Sequence, residues 1–432
     1  MTLSTIPATT TTRLRHAVGS KVLAFGRRVR RKVRGSLLAD RPDLVPALTT
    51  LGTYPVAVYF GEPPVRAYQI LQWLPTIEQL DRTLPVAIVT RNEETAKLVA
   101  ERTGVQVVFA RTLDALMQAY TTIDVKVVVY PNNGMRNFQS LIHRPALHVH
   151  VNHGESDKVS MVSNQAKAYD HVVVAGQAAI DRHEAALINF DVSSLVVCGR
   201  PQLDLAVPRV LDEDPARRTV MYAPTWSGEN EANNYTSVDV YGPQIVEAVL
   251  SRPGTRLVYK PHPRVALGDR PPVAAAHARI LALVAAANEA AGEPVHHVLL
   301  EEDILGLMDG TDLLVTDVSS VGLDFLYLRT EAPLVLTDRR SDPEQLAIDA
   351  PVSRACDVID RDTVGTLGEL LDANLHDDPR SAARAAMRSH YFGVERGEST
   401  ARFIEFITSC VDRRDGLLAG SASVRATGGY EA

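Results

Sequence analysis

The chain has 432 residues, of which 45% are hydrophobic and 22% charged, so it can bury a sizeable core as an ordinary globular protein does. This length exceeds the size at which single cores usually divide, and we therefore expect two domains. Because nine cations lie in residues 1–39, the net charge of −7 leaves an acidic remainder, which argues against a nucleic-acid-binding protein. Such a protein needs a basic folded domain with aromatic residues that stack on bases.

Residues 1–40 form a predicted basic amphipathic arm. Nine arginines and lysines and no acidic residue occur within residues 1–39. Apolar residues recur there every three or four positions from Leu14 to Leu37, which is the spacing of one stripe along a helix. This pattern is typical of a helix that lies on an anionic membrane surface. A solvated helix, or one docked on the acidic remainder of the chain, is the alternative.

Cysteine content and hydropathy indicate where the protein resides. Three cysteines are too few for a disulfide framework, and an odd number cannot all be paired, which indicates a reducing compartment. No stretch reaches the roughly 18 uninterrupted apolar residues of a membrane-spanning helix. The alanine-rich run from Val273 to Ala291 is interrupted by polar residues, and it predicts a packed helix. Together with the arm, these features predict a cytoplasmic protein bound peripherally at the inner face of the cell membrane.

Short β-branched runs alternate with helix-period segments through the first half of the chain. This alternation predicts a mainly parallel sheet covered by helices, which we place in an N-terminal α/β domain of residues 41–204. The predicted strands are 55–60, 85–90, 105–110, 125–130, 147–151, 171–175 and 195–199.

The second half repeats this scheme in a C-terminal α/β domain of residues 205–415. A linker is expected in residues 204–218, which are rich in Asp, Pro and Arg. Residues 416–432 are rich in Gly, Ser and Ala, and we expect a disordered tail there. The predicted strands are 219–223, 256–260, 297–300, 312–316 and 333–337.

The run from Thr316 to Phe325 is the most informative stretch of the second half. A strand-like segment precedes it and a helix-like segment follows, so Ser319 and Ser320 fall at a predicted helix N-terminus. Backbone N–H groups and the positive end of the helix dipole bind anions at such a place. The alternative is a plain helix cap made by Asp317 or Ser319.

A second candidate segment is Lys260-Pro261-His262-Pro263-Arg264, which follows a predicted strand. Prolines on both sides restrict the backbone of His262 and suit a side chain held out at the carboxyl edge of a sheet. Ligands of open α/β sheets bind at that edge. A surface turn with solvated cations is the alternative.

A third segment, Asn152 to Lys158, follows the predicted strand that carries His148 and His150. Gly154 has no side chain to block a substrate, which makes His153 a candidate general base. The alternative is a metal cluster with His148 and His150, but no cysteine or carboxylate completes a familiar ligand spacing.

With these residues in view, the chain resembles the CDP-glycerol glycerophosphotransferases, the family that primes and polymerises teichoic-acid-like polyol phosphates. The resemblance covers about residues 125–410, and six motifs in the family's order are strongly specific although each alone is weak. They are His153-Gly154 with Lys158; Tyr169-Asp170; Gly199-x-Pro201-x-x-Asp204; Tyr222-Ala223-Pro224-Thr225-Trp226; Lys260-Pro261-His262-Pro263; and Thr316-Asp317-x-Ser319-Ser320-x-x-x-Asp324-Phe325.

Three positions depart from the family pattern. Ser156 stands where the family usually has proline, Gln202 where it has arginine, and Ser227-Gly228 where it has an Arg-Asp pair. In the family these positions lie beside the donor or acceptor pocket. The resemblance therefore implies the reaction type and leaves the exact polyol open.

The resemblance implies a GT-B-type architecture, in which two doubly wound Rossmann-like domains face a cleft. The N-terminal domain would take the acceptor and the C-terminal domain the nucleotide donor. The implied reaction moves a polyol phosphate, most simply glycerol phosphate, from a CDP-linked donor to a hydroxyl acceptor and releases CMP. Its product would be a teichoic-acid-like or capsular polymer.

Site roles follow from the residues and the resemblance together. We predict His153 as the base, because histidine titrates near neutral pH. His262 and the Ser319-Ser320 pair are expected to stabilise the donor pyrophosphate, as the resemblance implies. For Thr225, Trp226 and Asp324, packing is an equal alternative. The other expected donor-binding residues are Gly154, Lys158, Thr225, Trp226, Lys260, Arg264, Thr316, Asp317 and Asp324.

The scheme requires no metal and no cofactor besides the CDP-polyol co-substrate. The expected partners are that donor, a polyol-phosphate or lipid-linked glycan acceptor, and an anionic membrane surface. Two rivals stay open. One is a nucleotide-sugar glycosyltransferase of the same architecture, which fold alone does not exclude, and the other is a non-catalytic membrane-associated scaffold.

Overall fold

The computed structural model describes residues 51–427 except residues 206 and 269, with side chains up to residue 419. The predicted arm, residues 1–40, lies outside this range. Within it, strands alternate with helices and build two parallel sheets, each of which forms a lobe with the helices that cover it. The prediction of an α/β fold with two doubly wound domains is confirmed.

The first lobe is built on a seven-stranded sheet with strand order β3-β2-β1-β4-β5-β6-β7. All five residues of β1 are buried, as expected for a parallel strand with helices on both faces. The strands are β1 Val56–Phe60, β2 Val86–Thr90, β3 Gln106–Phe109, β4 Val127–Tyr130, β5 Leu147–His150, β6 His171–Val174 and β7 Leu195–Val197, and the α-helices are α1 Tyr68–Leu71, α2 Leu74–Asp81, α3 Glu93–Ala100, α4 Leu113–Thr122 and α5 Gln177–Ala186.

The second lobe is built on a six-stranded sheet with strand order β10-β9-β8-β11-β12-β13. Strand β13 was not predicted, because its three residues carry too short an apolar pattern. The strands are β8 Arg218–Ala223, β9 Thr255–Tyr259, β10 His297–Val298, β11 Leu313–Asp317, β12 Leu334–Thr337 and β13 Asp357–Ile359, and the α-helices that follow β8 are α6 Gly242–Leu250, α7 Pro271–Ala291, α8 Ile304–Met308, α9 Ser320–Leu328, α10 Pro343–Asp349, α11 Leu367–His376, α12 Ser381–Tyr391 and α13 Ser399–Thr427.

Both sheets bury their two faces in separate apolar layers. In β1, Val56, Val58 and Phe60 enter one layer, whereas Ala57 and Tyr59 enter the other. This alternation follows from the two-residue period of a strand. The strand order in each lobe reverses beside its first strand, between β1 and β4 and between β8 and β11. Ligands of such sheets bind beyond the carboxyl ends of the strands at this reversal.

The last helix corrects the predicted domain boundary at residue 415. Helix α13 begins at Ser399, inside the range predicted for the second domain, but Phe403, Ile407 and Cys410 are buried in a core layer of the first lobe. The ring of Phe403 lies 5.3 Å from that of Trp73, measured between centroids. The chain therefore returns to the first lobe after crossing the second.

The prediction of a disordered tail from residue 416 is wrong for residues 416–427. Helix α13 continues to Thr427. Each residue added to a formed helix gains a hydrogen bond without a new nucleation cost, and the packed turns before residue 416 supply that nucleus. Residues 428–432 lie outside the described residues.

Helix α7 is the one helix in the described part of the chain that is long and apolar enough to cross a membrane, judged by length and composition alone. Val273, Ile280 and Val284 are buried against the core of the second lobe, and His277 accepts or donates a hydrogen bond of 2.9 Å with the Tyr259 hydroxyl. These contacts are those of the packed helix that the sequence predicts.

Candidate active site

The loop after β5 carries the predicted base. Asn152 has a φ of 52°, a left-handed conformation that asparagine tolerates better than most residues. Its carbonyl accepts a 2.6 Å hydrogen bond from Trp73 Nε1, and its side-chain oxygen accepts from the His153 N–H at 2.8 Å. The strand therefore ends in a fixed bend that presents His153 and Gly154.

His153 is held in a largely buried position next to an aromatic ring. Its imidazole meets the edge of Tyr68 at 5.8 Å between centroids, and its Nδ1 is buried without a hydrogen-bond partner. Burial, together with a smaller effect of the nearby Arg200 charge, lowers the pKa of His153 to about 4. The imidazole is thus neutral at pH 7, the state in which a histidine accepts a proton.

Gly154 lies at one of the points where the two lobes approach each other. A Cβ added there would lie 3.5 Å from Arg200 Nη1 and 3.6 Å from the Cβ of Ser320 in the second lobe. The predicted base loop therefore faces the start of helix α9, which carries the predicted anion site. The structure brings these two distant segments together as the sequence analysis expected.

The start of α9 has the features of an anion site. Ser319 stands at the N-cap in an extended conformation with φ −161°, yet its hydroxyl makes no capping hydrogen bond. The residue is 9% exposed, and its Oγ is buried without a partner in the described part of the chain. The alternative of a side-chain cap is therefore wrong for Ser319. A hydroxyl and a helix N-terminus with unmet hydrogen-bonding capacity favour an anion.

Thr316 and Asp317 have internal contacts that the sequence analysis did not anticipate. Thr316 Oγ1 donates to the Ala223 carbonyl at 2.6 Å. The carboxylate of Asp317 accepts from the Thr225 N–H at 2.6 Å, from the Thr337 hydroxyl at 2.6 Å and from the Ser237 N–H at 3.2 Å. Both residues are fully buried. We correct their expected role from donor contact to positioning, because they tie the ends of β8, β11 and β12 together.

Lys158 and Thr225 connect the lobes on one side of the cleft. Lys158 Nζ, from the first lobe, donates to Thr225 Oγ1 of the second lobe at 2.9 Å. The ammonium also lies 5.7 Å from the ring centre of Tyr235. Burial lowers the pKa of Lys158 to about 8, an effect that the Asp317 carboxylate opposes. A cation of the first lobe therefore lies at the end of β8 in the second lobe.

The proline-flanked turn after β9 presents His262 beside the end of β8. The His262 N–H donates to the Pro224 carbonyl at 2.9 Å, and its Nδ1 accepts from the Arg264 N–H at 3.2 Å. This assigns the ring proton to Nε2. Burial, with the cations Lys158, Arg264 and Lys260, lowers the pKa of His262 to about 4. His262 is thus a neutral hydrogen-bond donor at pH 7.

The two cations of this turn are both engaged. The Arg264 guanidinium lies 4.1 Å from the ring centre of Trp226, a cation–π contact that holds the side chain against the end of β8. Lys260 Nζ donates to the Leu300 carbonyl at 2.8 Å. Burial lowers the pKa of Lys260, while Glu302, Asp303 and Glu301 act in the opposite direction. The alternative of solvated cations is therefore wrong for both.

Arg200 is a functional candidate that the sequence analysis missed. Its Nη2 lies 2.9 Å from Oδ1 of Asp324 on α9, and the two side chains are only 8% and 11% exposed. Burial raises the pKa of Asp324 to about 6, and the Arg200 charge opposes this rise. Asp324 therefore positions Arg200 across the cleft. Arg200 occupies the variable position of Gly199-x-Pro201, so its basic character was the only available signal.

The metal alternative for the three histidines does not fit the structure. His148 uses both ring nitrogens, one with the Tyr130 hydroxyl at 2.7 Å and the other with the His143 carbonyl at 3.0 Å. Among the residues that the structure describes, no three side chains of His, Cys, Asp or Glu are grouped as metal ligands.

Comparisons with known proteins address both family and fold. A family model described as CDP-Glycerol:Poly(glycerophosphate) glycerophosphotransferase matches residues 143–409. A search of the curated proteins finds no match to the chain.

Among solved structures, the chain is similar to the UDP-GlcNAc 2-epimerase from Neisseria meningitidis bound to UDP-GlcNAc, with 11% identity and a TM-score of 0.55 over 83% of this chain and 100% of that one. It is similar to a glycosyltransferase from Rickettsia africae, with 11% identity and a TM-score of 0.52 over 83% and 99%. The wall teichoic acid polymerase TagF aligns with 13% identity and a TM-score of 0.49 over 90% and 98%. The first two likenesses show the fold, which is of the GT-B type.

Proposed function

Because the chain belongs to the CDP-glycerol:poly(glycerophosphate) glycerophosphotransferase family, we propose that it transfers glycerol phosphate from CDP-glycerol to a hydroxyl group of an acceptor and releases CMP. The family makes the chain a transferase. The observation that supports the finer proposal is the approach of Gly154 to Ser320, which brings the loop that carries His153 to the start of α9.

In the proposed reaction, the acceptor oxygen attacks the phosphorus that bears the glycerol. A new P–O bond forms, the P–O bond to the CMP phosphate breaks, and CMP leaves with the electron pair of that bond. His153 takes the proton of the acceptor hydroxyl. In the protein without ligand, His153 with a pKa of about 4 is a weak base. A bound pyrophosphate would raise that pKa, because a nearby negative charge favours the protonated imidazole.

Donors on both sides of the cleft would stabilise the phosphate charges. The start of α9 supplies the Ser319 and Ser320 hydroxyls, and His262 supplies its Nε2–H. Lys158 adds a positive charge from the first lobe, where its ammonium donates to Thr225 Oγ1 at 2.9 Å. Placing fixed dipoles and cations where charge develops is the main way in which proteins accelerate phosphoryl transfer.

Replacing Ser319 and Ser320 together by alanine is expected to weaken CDP-glycerol binding roughly tenfold or more, because two hydroxyl contacts to the pyrophosphate are lost. Calorimetric titration with CDP-glycerol measures the change. The acceptor KM should stay the same. A matched control is Ser389→Ala with Ser409→Ala, two exposed serines on α12 and α13 whose hydroxyls bond only to their own helices. Unchanged affinity in the Ser319/Ser320 variant would return this segment to a purely structural role.

A donor panel tests the reaction itself. The full chain is incubated with an acceptor ending in glycerol phosphate and, separately, with CDP-glycerol, CDP-ribitol and UDP-sugars, and the released nucleotide is identified. We expect CMP from a CDP-polyol. Release of UDP from a UDP-sugar would support the glycosyltransferase instead, and no turnover of any donor would support the scaffold.

We further propose a cytoplasmic location at the inner face of the membrane, where the nine cations of residues 1–39 would meet anionic lipid. Deleting residues 1–39 is expected to release the protein from anionic vesicles, since each near-surface cation contributes about 1 kcal/mol. Sedimentation with vesicles measures this, and added salt should weaken the binding of the full chain. Reaction with a lipid-linked acceptor should slow more than reaction with a short soluble one.

Neutral vesicles serve as the control, because they remove the electrostatic attraction and leave the apolar stripe. If the shortened protein still sediments with anionic vesicles as the full chain does, the arm is not the anchor.

A further inference from the structure

A cavity of about 40 Å³ lies in the first lobe, beyond the carboxyl ends of β5, β6 and β7. Asn152 and Gly154 of the base loop form part of its wall. A space of this size holds about three water-sized groups. It therefore accommodates the end of a short hydroxyl-bearing carbon chain more readily than a sugar ring.

Three buried polar atoms in this wall have no hydrogen-bond partner in the described part of the chain. They are Nε2 of His150, Nε of Arg200 and Oε1 of Gln202. Each of the three residues is less than 9% exposed. Buried groups left unpaired each cost free energy, so such a set is expected to be satisfied by a ligand or by ordered water.

The three atoms differ in hydrogen-bonding character. The Arg200 Nε–H donates, the Gln202 carbonyl oxygen accepts, and a neutral imidazole nitrogen does either according to its tautomer. A hydroxyl group both donates and accepts. Adjacent hydroxyls therefore satisfy this mixed set, whereas a phosphate oxygen would leave the Gln202 carbonyl unpaired.

The remaining walls also suit a neutral polyol. Trp73, Met161 and Val173 supply apolar surface for a carbon chain. The other cation, Arg182, is already paired with Glu155 at 2.7 Å and with Asp157 at 2.9 Å. Arg200 is paired with Asp324. Because both guanidinium groups are paired with carboxylates, the described residues of the cavity wall offer no unpaired cation that would attract an anion.

We propose that this cavity binds the terminal hydroxyl-bearing end of the acceptor, a short polyol of about three carbons, and holds it next to Gly154 for attack on the donor phosphorus. This inference rests on the proposed function and adds the acceptor subsite to it. Gln202 is one of the positions where the chain departs from the family pattern, so a polyol-binding wall here also gives that departure a role in specificity.

The test compares acceptor kinetics of the full chain with Gln202→Met, which keeps the side-chain length and removes the amide. With saturating CDP-glycerol and a soluble acceptor ending in glycerol phosphate, the acceptor KM should rise about tenfold, as expected for one lost hydrogen bond. CDP-glycerol affinity, measured by calorimetry, should not change. The matched control is Gln177→Met, an exposed glutamine on α5 outside the cavity wall.

A second experiment uses only the wild-type protein. Wild-type protein is given acceptors that end in glycerol, in ribitol or in a sugar ring, and the glycerol end should have the lowest KM by about tenfold. His150→Phe provides another probe, because it keeps the stacking on Tyr169 at 5.0 Å and removes the ring nitrogens; it too should raise the acceptor KM.

The outcomes are distinct. Unchanged acceptor KM in folded Gln202→Met and His150→Phe, or an equal KM for the three acceptor ends, would mean that the cavity holds only ordered water and would overturn the subsite. Absence of CMP release by wild-type protein would instead overturn the proposed reaction on which the subsite rests.

Discussion

His153→Gln is expected to lower kcat at least about 10²-fold while the protein stays folded, because a positioned general base contributes typically 10²- to 10⁴-fold. Glutamine keeps a polar side chain in the bend after β5 but accepts no proton. Steady-state release of CMP measures the loss, and CDP-glycerol affinity should be close to that of the wild type. Circular dichroism and thermal melting check the fold.

The control for His153→Gln is His376→Gln, an exposed histidine on α11 whose Nδ1 bonds to the Asp372 carbonyl of the same helix. It should retain full activity. A near-normal rate in folded His153→Gln would remove His153 as the base, and the acceptor proton would then have to leave by another group.

The dependence of kcat/KM on pH tests the same assignment of His153 as the base. A base must be unprotonated, so its activity is present above its pKa and lost below it. Since burial lowers the pKa of His153 to about 4, kcat/KM should stay level from pH 7 downward and fall only near pH 4. An acid limb at the ordinary histidine value near 6.5 would contradict a neutral, buried base in the free protein.

His262→Ala is the second large effect that we expect, with kcat lowered at least about 10²-fold through loss of a hydrogen bond to the phosphate charge of the transition state. Its Nε2–H is available because Nδ1 is taken by the Arg264 N–H. His262→Asn should recover part of the rate, since its amide also donates a hydrogen bond.

The control for this prediction is His297→Ala, a half-buried histidine of β10 in the same lobe. A merely structural His262 would lower the melting temperature without a specific loss of kcat, and His262→Asn would then recover no activity. That combination would contradict the assigned role.

Local pattern predicted most of the fold. Twelve of the thirteen strands in the described residues coincide with runs that the sequence analysis predicted, most of them short and rich in β-branched residues. The sequence did not predict that α13 packs on the first lobe. Its apolar residues Phe403 and Ile407 could pack on an apolar face of either lobe, and only the folded structure shows that they pack on the first. Long-range packing of this kind leaves no mark in the local sequence.

The candidate site was predicted in part for the same reason. His153, His262 and Ser319 stand in motifs whose chemistry is readable locally, and the structure places them around one cleft. Arg200 was missed because its meaning depends on Asp324 in the other lobe. Asp317 was misjudged because a carboxylate beside a serine pair looks exposed in sequence, whereas three internal donors hold it in the core.

The most direct test of the account is a crystal structure of the protein with bound CDP-glycerol. The account predicts the pyrophosphate within hydrogen-bond distance of Ser319 and Ser320, with the phosphate that carries the glycerol facing Gly154 and His153 across the cleft. A pyrophosphate bound away from the start of α9, or a donor seated wholly outside the space between the lobes, would contradict it.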